Sequence, residues 1–132
     1  MVKQLDYANK SKREETKMKN KANLLGFIAD HINNKLCKKK LEISYIRLFK
    51  KGDLHESFPD KEGWYLSDKK EILIKKNASL IMQIIILCHE LAHAYQWQIL
   101  GKKGKDMHDI YGGKIYQKFI KETDKILEIK LK

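Results

Sequence analysis

From Ala78 to Leu100 the chain contains neither proline nor glycine, and from Leu80 to Cys88 it is apolar apart from Gln83. Apolar residues on nearly every face over that length read as one long helix whose first half is buried. A helix of this kind belongs at the centre of the fold. At the end of its apolar half stand three titratable side chains, His89, Glu90 and His93. Inside an apolar helix such groups must be paired or metal-bound to offset a large burial cost. The bland alternative, with His93 packed and His89 in water, explains them poorly.

The spacing of the three side chains narrows their chemistry. Helical residues four apart lie about 40° apart around the axis and about 6 Å along it, so the two imidazoles can converge on one cation. Glu90 projects near the same point, where a carboxylate outside the inner shell can take a proton from water. His-Glu-x-x-His on a helix is the pattern of zinc hydrolases. The expected metal is Zn2+, with His89 and His93 as ligands and Glu90 as the catalytic base. A catalytic zinc needs a third protein ligand. The longer zincin pattern is absent: Gln96 stands where its glycine would be, and no histidine follows at its spacing. His108 is the best candidate, because Gly101 and Gly104 let the chain reverse after the helix. Asp106, Asp109 and Glu122 compete with it, and His31 and His55 suit surface or loop positions better. Cys88 adjoins the motif as a potential ligand or redox switch, but it reads better as a small buried residue.

Around this helix the pattern is that of a small mixed domain. Leu24, Leu25, Ile28, Ile32 and Leu36 recur at helical spacing from Ala22 to Cys37, and Lys38-Lys39-Lys40 suits a helix end. Leu41 to Phe49 alternates like a strand. Trp64-Tyr65-Leu66 and Glu71 to Lys76 read as two short strands joined through a hairpin turn at Ser67 to Lys70. Lys105 to Tyr111 reads as loop. Gly112-Gly113 then precedes a last amphipathic helix carrying Ile115, Phe119, Ile126 and Ile129. A chain of 132 residues is one ordinary domain. Residues 1–21 form a basic arm or helix start, and residues 22–132 form the single domain. Trp97, one turn past His93, serves as core or flanks a cleft. Trp64 and Tyr65 face a substrate or cap the sheet. Tyr111 is either a plain loop residue or an oxyanion donor.

The net charge of +11, from 28 basic and 17 acidic residues, invites a phosphate-bearing partner. Nearly all of that charge is lysine, with Arg13 and Arg47 the exceptions, so bidentate reading of bases is excluded as a main role. Nonspecific DNA binding stays open beside codon bias as the source of the lysines. Two isolated cysteines, Cys37 and Cys88, make neither a disulfide framework nor a metal knuckle. With no signal segment and no span-length apolar run, the expectation is a cytoplasmic chain without membrane association.

His89-Glu90-Leu91-Ala92-His93-Ala94-Tyr95, then Trp97, Gly101 and His108, resembles the SprT-like metallopeptidase domain that includes the Spartan proteases. The resemblance covers about Ile72 to Phe119. It implies an α+β, zincin-like fold: a small antiparallel or mixed sheet beside a long active helix, with further N- and C-terminal helices. It implies hydrolysis of peptide bonds in a protein or peptide substrate, with Glu90 as general base. Members of the family cleave proteins crosslinked to DNA. The family's third ligand is a loop histidine commonly followed at once by glycine; here Asp109 follows His108, and Gly112 and Gly113 come later. The four-cysteine zinc ribbon often found after the domain is missing, so the chain resembles minimal stand-alone forms carried by phages and mobile elements. A phage origin would place it in the host cell's cytoplasm. The competing functional reading is a non-catalytic zincin-fold module, virion-associated or otherwise, that holds nucleic acid or a partner on its basic surface. A delivered toxin-type protease is a third, with no supporting segment.

Overall fold

The computed structural model describes the backbone of residues 12–50, 63–101 and 110–131. His108, Asp106, Asp109 and His55, and the beginning of the basic arm, lie outside the described residues. The elements run α1 (Lys12–Leu36), β1 (Tyr45–Phe49), β2 (Gly63–Leu66), β3 (Glu71–Lys75), α2 (Leu80–Gln98) and α3 (Ile110–Leu131). The fold is α+β, with three helices and one three-stranded mixed sheet among the described residues. Among the described residues no helix is long and apolar enough to cross a membrane.

α1 begins at Lys12, inside the basic segment that reads as an arm or a helix start. The segment Lys12 to Lys21 is rich in strong helix formers. Further along, Leu25, Ile28, Ala29 and Ile32 form the stripe that the core buries completely. The helix ends in a left-handed turn at Lys38 and Lys39 (φ 53° and 62°), with Lys39 N donating to Asn33 O at 2.9 Å.

The sheet order is β1-β3-β2. β1 runs parallel to β3, with Ile46 opposite Ile72 and Leu48 opposite Ile74. β2 runs antiparallel to β3, with Gly63 opposite Ile74 and Tyr65 opposite Ile72. Central β3 is buried on both faces through Ile72, Leu73 and Ile74. The hairpin turn between β2 and β3 places Lys70 at φ 55°. The expected strand from Leu41 is shorter than its alternation implied, because side-chain amides take over its first backbone groups. Asn33 pairs with both the N–H and the carbonyl of Leu41 (2.9 and 2.8 Å). Gln98 does the same for Glu42, at 2.8 Å each way.

α2 is the central helix, packing on α1, α3, β2 and β3. Ser79 caps its start, its hydroxyl accepting from Met82 N at 3.2 Å. Gln83, fully buried, donates to the carbonyls of Lys75 and Lys76 (3.3 and 3.1 Å) and so fastens the second turn of the helix to the end of β3. Gly101 follows at φ +67°, a left-handed position that suits glycine where the helix ends. α3 starts at Ile110, so Gly112 and Gly113 lie within its first turns instead of before it. Each glycine costs a helix roughly 1 kcal/mol relative to alanine. The buried stripe of Phe119, Thr123 and Ile126 further along offsets that cost.

Candidate metal centre

His89 and His93 lie on the second half of α2, one turn apart, and both are partly buried. Their Nε2 atoms stand 3.0 Å from each other. The rings meet edge to face, with centroids 4.6 Å apart and planes at 86°. Two ligand nitrogens on a tetrahedral zinc, each about 2.0–2.1 Å from the metal, are about 3.3 Å apart by that geometry. The pair is therefore within a few tenths of an ångström of the separation that one zinc would impose, and the donor set suits that metal. The helix supplies this geometry without distortion, since the rings of residues four apart rise from the same face.

Glu90 is almost wholly buried, with 6 % of its surface exposed. Its neighbour is the first residue of β2. A Cβ added to Gly63 would lie 2.4 Å from Ile86 Cγ2, 3.0 Å from the Leu73 carbonyl oxygen and 3.3 Å from Glu90 Cγ. Only a glycine lets the edge strand approach the helix this closely at the level of the carboxylate. Gly63 was not singled out in the sequence; its position just before a strand was the available signal for a close backbone approach.

α3 closes another side. The Tyr116 ring stands edge-on to His89, with centroids 6.0 Å apart and planes at 71°. Its phenol is pushed up from its ordinary value, mainly by burial. Tyr116 was not singled out in the sequence, although it sits three residues before Phe119 on the same helical stripe. Tyr95 and Phe119 make a second edge contact, with centroids 6.1 Å apart. Cys88 meets Thr123 Oγ1 at 3.4 Å, and Thr123 donates its own hydroxyl proton to the Phe119 carbonyl at 2.7 Å. With that proton committed, the Cys88 thiol is the donor of the pair. Burial pushes the Cys88 thiol up to about 11, as it does that of Cys37. A thiol so placed is neither a reactive thiolate nor a ready ligand.

The remaining candidates divide clearly. Glu122 pairs with His31 on α1, Nε2 to Oε2 at 2.8 Å, and this hydrogen bond holds its carboxyl below the ordinary value. It thus joins α3 to α1. Among the described residues no group of three His, Cys, Asp or Glu side chains could hold a metal ion. The third ligand expected at His108 lies outside them. Tyr65 is committed to structure, its hydroxyl accepting from Gln98 at 2.7 Å near the end of α2. Trp97 is partly buried beyond His93. Gln96, where a longer zincin pattern has glycine, is buried, and the helix continues past it to Gln98.

No protein-family model matches the sequence, and a comparison with curated proteins gives no match. Two solved structures are similar in fold. The crystal structure of Wss1 from Saccharomyces cerevisiae superposes with a TM-score of 0.59 at 14 % identity, covering 96 % of this chain and 89 % of that one. A Wss1 mutant from the same organism gives 0.58 at 13 % identity, covering 96 % and 90 %.

Proposed function

We propose that this chain is a zinc-dependent metallopeptidase that hydrolyses peptide bonds in protein substrates. The observation that carries the reading is the convergence of the His89 and His93 Nε2 atoms, 3.0 Å apart, on the helix turn that also bears buried Glu90. In this reading His89, His93 and His108 hold the metal. Zinc bound there would supply Lewis acidity, bringing the pKa of a water toward about 7 and polarising the scissile carbonyl. Glu90 then acts as general base: its carboxylate takes a proton from the attacking water and returns it to the leaving amine. Burial suits Glu90 to that role, because a carboxylate screened from bulk solvent interacts more strongly with a proton donor placed beside it.

The SprT-like resemblance of the motif points to proteins associated with DNA as the substrate class, and the excess of lysine is compatible with contact to phosphates. The non-catalytic alternative fits less well, since a purely structural zinc has no use for a buried glutamate beside its ligands. Glu90→Gln separates the two. The amide keeps the shape and cannot take the proton, so the variant should keep zinc and fold while hydrolysis falls by about 100-fold or more. Undiminished self-cleavage or substrate cleavage by a clean Glu90→Gln preparation contradicts the general-base role.

A further inference from the structure

We propose that Tyr116 donates a hydrogen bond to the substrate's carbonyl oxygen as the reacting carbon becomes tetrahedral. The inference rests on the metallopeptidase reading and assigns a residue that the motif does not contain. Tyr116 comes from α3, a different element from the histidine pair, yet its ring lies against His89 at 6.0 Å between centroids. Two buried contacts fix which face of α3 is turned toward α2: Phe119 against Tyr95 and Thr123 against Cys88. Tyr116 lies on that same face, three residues before Phe119 and seven before Thr123, so its placement beside His89 follows from core packing. The side chain is only partly buried. Among the described residues no group hydrogen-bonds to its hydroxyl, unlike the hydroxyl of Tyr65, which Gln98 occupies. A phenol held by its ring next to a ligand histidine is placed to act as an oxyanion donor.

The step balances without any further reactant. The water oxygen forms its bond to the carbonyl carbon while Glu90 takes the water's proton. The C=O π pair moves onto oxygen, where the Tyr116 hydroxyl donates a hydrogen bond and keeps its own proton. On collapse the π bond re-forms, the C–N bond breaks, and the amine leaves with the proton from Glu90. Tyr116 thus stabilises charge that exists only near the transition state, the kind of interaction that accelerates rather than merely binds.

The test compares the zinc-loaded full chain with its Tyr116→Phe variant, which retains the ring against His89. Zinc content, thermal midpoint and acetohydroxamate affinity report on the metal and its ligands. The affinity of N-phosphoryl-Leu-Trp, whose tetrahedral phosphoryl oxygens imitate the reacting carbonyl, reports on the donor. The expected result is unchanged zinc, midpoint and hydroxamate affinity, with the phosphoryl dipeptide binding about 100-fold more weakly to the variant. Equal affinity in the two proteins, including no binding by either, overturns the assignment. Loss of zinc in Tyr116→Phe overturns it as well, because the ring and hydroxyl would then be supporting His89. A wild-type chain that takes up no zinc shows at the first measurement that the metallopeptidase reading itself fails, and the role of Tyr116 falls with it.

Discussion

Gly63 carries as much structural consequence as the titratable side chains it adjoins. Its missing side chain allows β2 to approach α2 at Ile86 and Glu90. Gly63→Ala should force β2 and α2 apart, destabilising the protein by about 1–3 kcal/mol, the usual range for overpacking. The movement includes the neighbourhood of Glu90, so hydrolysis should fall while the histidine pair, whose spacing α2 itself sets, still takes up zinc. Thermal unfolding and zinc content measured together check this. A Gly63→Ala variant with an unchanged midpoint would mean that the strand does not approach as closely as described. Tyr116 illustrates a related point, that the surroundings of a motif come from elements distant in sequence. His89, Glu90 and His93 could be read directly because helical spacing alone brings them together. Gly63 and Tyr116 could not, because their proximity depends on how β2 and α3 dock.

At the scale of elements, patterns with a local physical cause were legible and pairings between distant segments were not. α2 was evident from its uninterrupted apolar run, and the β2–β3 hairpin from two short strands around a polar turn. The order β1-β3-β2, with β1 parallel to β3, has no local signature, since it depends on where the segment between β1 and β2 carries the chain. The start of β1 was misread because Leu41 and Glu42 alternate correctly but bond to the amides of Asn33 and Gln98. Gly112 and Gly113 suggested a helix boundary, which the buried stripe of α3 overrode. The hydrogen bond between His31 and Glu122 is another long-range feature, joining α1 to α3. Its effect on stability has a defined sign. The Glu122 carboxyl is held below its ordinary value of 4.5, chiefly by the His31 hydrogen bond. The stabilisation is therefore fully present above that ordinary value and is lost as pH falls through the lower, folded-state value. Wild type should lose more stability over that acid interval than Glu122→Gln, by less than about 1 kcal/mol for a pair with a partly exposed member. Parallel acid-unfolding curves for the two proteins would rule out the contribution.

For the whole molecule, the charge and the metal centre lead to separate experiments. A net charge of +11 carried almost entirely by lysine should bind DNA without sequence preference, and the affinity should drop steeply with added salt. Neutralising Lys10, Lys12, Arg13 and Lys17 together should weaken that binding near physiological salt. Binding indifferent to those substitutions would leave the lysines as solvated surface, and the protein substrate would be found by other means. The central claim is that α2 carries a zinc site. Elemental analysis after zinc-replete purification tests it most directly, on wild type and on the His89→Ala, His93→Ala and His108→Ala variants. The account predicts one zinc per wild-type chain and loss of stoichiometric zinc in each variant. Wild-type protein without stoichiometric zinc, or full zinc retained by His89→Ala and His93→Ala, would contradict it.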